Sequence, residues 1–244
     1  MKRQVPRERA EDSLYGHFYA FDSAPFTEKA WEHSGVGHDC GATCPHYLLP
    51  MIEMYRAMPD HPAAAAWREC LERFAYGYLV PACSRNPFLL LPQGVFGDEG
   101  LLTFAGLWHG ANGAYAHAAV LALELEALFG GCEFREIATG NLQWIAGLNA
   151  GITRASLAAS HVWANDIPEG VAEPRSMIHG VGERWAGSWR TIRGSICNGF
   201  DVDQQFRFET EPSRATDGPF MFTDEDWIVH AGAWLSAVSR MGGQ

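Results

Sequence analysis

Long hydrophobic runs are missing from this 244-residue chain: none approaches the ~18 residues that cross a bilayer, so no membrane partner is expected. Charge is sparse, at 19% of residues against a usual ~25%. Basic charge is sparser still. Lys+Arg number 18 against 29 Asp+Glu, a net charge of -11, which argues against a nucleic-acid surface. No sequence repeats with a 20–50-residue period, and there is no low-complexity tract. No alternating pattern long enough for a strand ladder is evident. The charged opening MKRQVPRERAED is not followed by an apolar h-region, so no secretory leader is expected. Six cysteines, at 40, 44, 70, 83, 132 and 197, are too dispersed for a small disulfide scaffold. Free thiols and a cytoplasmic location are the expectation.

What the chain does have is apolar and aromatic material: 47% hydrophobic residues, 12% aromatic, and nine tryptophans. That composition builds a core and excludes a disordered chain. The length suits one large domain or two small ones. The division expected is a frayed segment over 1–12 and a single helical domain over 13–244.

Helical periodicity appears five times. Residues 46–58 follow Pro45, which suits a first turn, and space Leu48, Leu49, Ile52 and Tyr55 at three to four. Residues 62–80 follow Asp60 as an N-cap, with Trp67, Cys70, Leu71, Phe74 and Tyr78 on one stripe and Pro81 as the stop. Residues 112–129 carry Ala114, Ala118, Leu121, Leu125 and Leu128, and end at Gly130-Gly131. Residues 133–148 turn Phe134, Ile137, Ala138, Ile145 and Leu148 inward and close a helical hairpin on the preceding helix. Residues 224–240 follow Thr223 as an N-cap with Asp226 at the capping-box position. Their expected buried stripe is Trp227, Ile228, Ala231, Trp234, Leu235 and Val238. Residues 81–111 and 149–222 read as long loops rich in Gly and aromatics. Long loops on a helical scaffold tend to carry function.

Four groups of residues invite chemistry. In Thr223-Asp224-Glu225-Asp226-Trp227, three adjacent carboxylates can raise one pKa toward neutral and make a general acid. The same acids also complement a helix dipole. In Gly106-Leu107-Trp108-His109-Gly110-Ala111-Asn112, an aromatic, an imidazole and an amide precede a helix start. They suit a stacking platform with hydroxyl-binding partners, or an aromatic plug with Asn112 as N-cap. His38, Cys40, Cys44 and His46 are zinc-ligand types, but not in two separated knuckles, so no metal is expected. Glycines near 180–185 and 194–200 lack a preceding strand and a GK[ST], which excludes a phosphate loop. Cys197 reads as a buried thiol.

The stretch FAGLWHGANGAYAHAAVLALELEALFGGCEFREIATGNLQWIAGLNAG resembles a late helical hairpin of six-hairpin (α/α) toroid glycosidases. It is closest in style to the family nine, cellulase-like glycoside hydrolases. Gly147-Leu148-Asn149 stands for the family's glycine–x–asparagine loop, 176–200 for its Gly-rich active-site loop, and EDWIVHAGAW for its final glutamate-led helix. The resemblance spans roughly residues 40–241. It implies an all-α, partial (α/α)6 toroid of helical hairpins with long aromatic loops. It also implies hydrolysis of a poly- or oligosaccharide without a cofactor, with Glu225 as general acid.

Asp39, in a Gly-rich loop, is the one base candidate. Trp108, Trp185 and Trp189 would stack on sugar rings; His109, Asn198, Asp203 and His230 would bind hydroxyls. Two departures stand out: there is no Asp-Ala-Gly-Asp-like motif, and His230-Ala231 replaces the family's asparagine. Twelve helices of ~11–12 residues plus long connections strain a chain of this length. A half ring would therefore be completed by a second chain or by a preceding segment, and without one it would leave apolar helix faces exposed. Two other readings stay open: a non-catalytic carbohydrate-binding or truncated toroid protein, and a lyase on the same scaffold. The lyase would use Arg184, Arg190 and Arg193 on an acidic sugar.

Overall fold

The structure is a computed structural model describing residues 4–9, 14–18, 48–92, 94–96, 101–103, 110–151, 176–179, 193–199, 201–202, 208–209 and 226–243. These are mostly helical. The helices are α1 (Leu49–Ala57), α2 (Ala64–Phe74), α3 (Val80–Cys83), α4 (Asn112–Phe129), α5 (Cys132–Ala146) and α6 (Ile228–Gly242). Two antiparallel ribbons, absent from the sequence reading, join them: β1 (Gly94–Phe96) with β2 (Leu101–Thr103), and β3 (Asp201–Val202) with β4 (Phe208–Glu209). Each strand is two or three residues long, too short for alternation to register. No helix among the described residues is long and apolar enough to cross a membrane.

α4 is the axis of the structure. Ala118, Leu121 and Leu125 are buried as the stripe requires, and so are Tyr115, Ala119, Val120 and Leu123 on its other sides. A helix apolar all round is a core helix. At Gly130 (φ 73) and Gly131 (φ 99) the chain enters a backbone region that other residues rarely adopt, and there it reverses into α5. Phe134, Ile137, Ala138 and Ile145 then face α4 as expected. Leu148 does not: it lies past the Gly147 cap (φ 71), 69% exposed. α6 packs on another side of α4 and runs parallel to it. Gly113 meets His230 at one end, and Glu124 meets Arg240 near the other. The buried Glu124 carboxylate also takes Arg56 from α1, so one anion ties three helices together.

The expected stop at Pro81 does not occur. After α2 the chain makes one π turn, Ala75–Leu79, and continues through Pro81 to Cys83. Pro81 has no N–H for the carbonyl of Gly77, four residues back. That carbonyl instead accepts the N–H of Tyr15 at 3.1 Å. A Cβ at Gly77 would lie 2.7 Å from Tyr15, so only glycine admits this strap. Within the stretch expected to fray, Gln4 and Val5 are buried. The Gln4 amide donates to the carbonyls of Gly16 and Cys70, both at 2.8 Å. Asp60 is not an N-cap: α2 starts at Ala64, behind a turn in which His61 Nδ1 accepts the Ala63 N–H at 3.1 Å.

Candidate functional site

The polar residues of interest gather where α4 and α6 begin. Between them run 176–179 and 193–199, linked to each other and to the chain entering α6 by single antiparallel bridges, Ile178 to Ile196 and Cys197 to Asp226. Backbone bonds fix the frame. His179 N–H donates to Ser195 (2.9 Å), Met177 N–H to Ile145 (2.9 Å), and Asn112 N–H to Asn198 (3.0 Å).

Asn112 is not the N-cap of α4; Ala111 is. The Asn112 side chain is fully buried, and its Nδ2 donates to the Cys197 carbonyl at 2.9 Å and to Met177 Sδ at 3.3 Å. It sews the 193–199 segment to the helix. Gly110, the residue before Ala111, approaches so closely that a Cβ there would lie 2.1 Å from the Asn198 carbonyl oxygen. Asn198 itself is buried.

α6 begins four residues later than its periodicity implies, at Ile228. Its N-cap is Trp227 in extended backbone, with no side-chain cap. Asp226 therefore does not fill a capping box. Extended backbone turns its carboxylate inward instead. Oδ2 accepts the Ser195 hydroxyl at 2.8 Å, and Oδ1 lies 2.9 Å from His179 Nε2, not aligned as a hydrogen bond. The His179 side chain is only 2% exposed. Ser195 donates to the carboxylate rather than to the imidazole, so this trio is no activated-serine relay. It is a buried anchor that holds the chain just after Glu225.

His230, one turn into α6, is also buried, and its Nδ1 meets the Ile196 carbonyl at 3.3 Å. Burial, aided by nearby His117, lowers its pKa to about 4, so the ring is neutral near pH 7. A neutral imidazole there can hold a hydrogen bond but does not supply a cation. Cys197 is a buried thiol outside any disulfide, as expected.

Of the sequence-predicted site residues, Asn198 and His230 are brought to this cluster. Glu225, Asp39, Trp108, His109, Trp185, Trp189 and Asp203 lie outside the described residues, as do His38, Cys40, Cys44, His46, Arg184 and Arg190. Arg193 is described and exposed. Sequence reasoning missed His179 and Ser195, which sit in stretches without periodicity, and misassigned Asp226. The acidic triplet was the one available signal. Among the described residues, no three His, Cys, Asp or Glu side chains are placed to hold a metal ion.

A concavity of about 670 Å³ opens along α5 between Phe88–Leu89 and Asn149–Gly151. It is lined by none of the predicted site residues and by no member of the cluster.

No family model matches the chain, and no curated protein matches it significantly.

Proposed function

We propose that the chain is a carbohydrate-active protein that hydrolyses a glycosidic bond in a poly- or oligosaccharide, with Glu225 as general acid. The observation that supports this most directly is convergence. The chain leaving Trp108-His109 reaches Gly110, which packs against the Asn198 backbone. The chain leaving Glu225 reaches Asp226, which bridges to Cys197 and lies against Ser195, three residues before Asn198, and His179. A hydrolase that uses Trp108, His109, Asn198 and Glu225 together needs these three loop ends at one place. The parallel run of α4 and α6, with α5 antiparallel to α4, also suits an (α/α) toroid, because first helices of successive hairpins in a ring run parallel.

The test is Glu225→Gln assayed by release of reducing sugar from a panel of polysaccharides. Loss of a positioned general acid costs about 10²–10⁴-fold in rate. Full activity in the variant removes Glu225 from the mechanism. A second reading is favoured by the missing Asp-Ala-Gly-Asp-like motif: a carbohydrate-binding protein without catalysis. It expects saccharide affinity with no product in either protein. Release of an unsaturated, ultraviolet-absorbing product would instead identify a lyase.

A further inference from the structure

The concavity along α5 has walls that are fixed from behind. Asn86 and Asn141 are buried, and both commit their side chains to the backbone of one short segment. Asn86 Oδ1 accepts the N–H of Phe88 at 3.1 Å and of Leu90 at 2.9 Å, and Asn141 Nδ2 donates to the Leu89 carbonyl at 2.8 Å. Between these ties Leu89 stands at φ 55, the one positive φ outside glycine among the described residues. A leucine there is strained, and such strain persists only where the surroundings over-determine it. Gly140 lets the segment lie directly against α5: a Cβ on it would be 2.4 Å from the Phe88 carbonyl oxygen. Pro87, Phe88 and Leu89 thus form a fixed apolar wall, and the exposed Leu148 lines the end beyond α5. A site built before its ligand arrives lowers the ordering cost of binding.

α5 supplies the opposite side. Cys132, Glu136, Thr139 and Gln143 recur at four, three and four residues and share one face of the helix. From Cys132 to Gln143 that row runs about 16 Å. Among the described residues, nothing pairs with the Glu136 carboxylate, the Thr139 hydroxyl or the Gln143 amide. Arg135 is the one cationic side chain among the described lining residues, and it is committed: Nε and Nη2 each meet a Glu126 carboxylate oxygen at 2.9 Å. The uncompensated charge in the concavity is therefore negative, on a chain whose net charge is -11.

These features select among occupants. A volume of about 670 Å³ lies within the roughly 300–1,000 Å³ of small-molecule sites. An anion would meet Glu136 while Arg135 is engaged elsewhere. A wholly apolar molecule would cover the Glu136 carboxylate without giving it a partner, which is unfavourable. A wholly polar one would leave Pro87, Leu89 and Leu148 uncovered. We infer that the concavity is a binding site for a small organic cation, an ammonium group on an apolar body. The ammonium pairs with Glu136, and the Thr139 hydroxyl, a neighbour one turn along, accepts another of its N–H groups. The apolar body lies on Leu89 and Leu148. The concavity shares no residue with the cluster at the heads of α4 and α6, so this inference stands or falls apart from the carbohydrate reading.

The experiment is a ¹⁵N–¹H NMR titration of the full chain at pH 7 with three molecules that share one body. Tryptamine carries an ammonium group, tryptophol a hydroxyl and indole-3-propionate a carboxylate. Tryptamine should bind with a Kd near or below about 1 mM. It should bind about threefold or more tighter than tryptophol, and indole-3-propionate should bind weakest. Glu136→Gln keeps the shape and should bring tryptamine to the affinity of tryptophol. Leu89→Gly removes part of the apolar wall at a φ that glycine accepts. It should weaken tryptamine and tryptophol alike, by about threefold or more, and keep the preference between them. Both variants should fold, because Glu136 is exposed and glycine relieves the strain. No resonance shift with tryptamine at about 10 mM overturns the proposal, as does indole-3-propionate binding as tightly as tryptamine. A preference for tryptamine that survives Glu136→Gln, or an unchanged affinity in Leu89→Gly, places the ligand elsewhere and also overturns it.

Discussion

α4 and α6 run parallel, touch along their length, and are both rich in apolar residues, yet they are buried in opposite ways. α4 is covered on every side from Ala118 to Leu125. α6 is buried only through His230, Ala233 and Ala237, while Ile228, Leu235 and Val238 face outward. Periodicity announces that a helix has an apolar stripe. It does not say which neighbour covers it. α6 carries a stripe of small residues and a stripe of large ones, and its anchors select the small one. His230 must reach the Ile196 carbonyl and Arg240 the Glu124 carboxylate. Ala233 and Ala237 lie between those anchors on the same face, and they let the two helix backbones come close.

The sharpest way to break this contrast is to cut into α4. Leu121 is wholly buried, and Leu121→Ala should cost about 2–5 kcal/mol, measured by urea unfolding. A loss below 1 kcal/mol would mean that α4 is not the core helix described.

Acid probes the same contrast through two buried histidines. Burial lowers the pKa of His17 to about 4 and, with His117 nearby, that of His230 to about 4. Both rings are neutral when folded but take up protons near pH 6.5 when unfolded. The unfolded state therefore binds more protons between about pH 6.5 and 4, and stability falls with falling pH across that window. Each histidine can contribute up to ~1.4 kcal/mol per pH unit there. Urea unfolding at pH 7, 6 and 5 should show progressive loss. His230→Asn should flatten part of the slope, and a flat profile in the parent would place these rings in water.

The helices that hold the site were readable because they are long and periodic: α4 starts at Asn112 as expected, and α5 one residue early at Cys132. The site was less readable because its parts obey no period. Asp226 has the sequence context of a capping acid, and only the late start of α6 shows that it serves Ser195 and His179. His179 and Ser195 lie sixteen residues apart in stretches dominated by Gly, Arg and Trp, and a single bridge between short segments pairs them. Pro81 was misjudged for a similar reason. A proline normally stops a helix because one carbonyl loses its donor, and here the missing donor comes from Tyr15, more than sixty residues earlier.

A smaller effect is expected where the two helices are pinned together. Burial pushes the Glu124 pKa up, but hydrogen bonds from Arg240 and Arg56 outweigh it and hold the carboxyl below its ordinary range. Its folded pKa is depressed, so its contribution is fully present above about pH 4.5 and is lost as pH falls through the folded value. Glu124→Gln keeps the shape and removes the charge. Both arginines are partly exposed, so the cost should be modest, about 1 kcal/mol at pH 7. The difference between parent and variant should shrink below pH 4. A gap that persists unchanged at pH 3 would show that packing, not charge, is what Glu124 supplies.

The smallest effect is expected on the outer face of α6, and it tests whether that face is bare. Leu235 is 67% exposed. Leucine and alanine are both strong helix formers, so Leu235→Ala changes the helix itself little. In the chain alone the substitution should shift stability by less than about 0.5 kcal/mol. A partial ring completed by a second chain makes a different demand. Leu235 would then lie in an interface, the cost would approach that of a core leucine, and the midpoint of unfolding would rise with protein concentration in the parent but not in the variant. Unfolding of both proteins over a hundredfold range of concentration separates the cases. Superposed curves keep α6 as a one-sided helix. A concentration-dependent gap of 2 kcal/mol or more would make it a core helix like α4, and the contrast between the two would belong to the isolated chain alone.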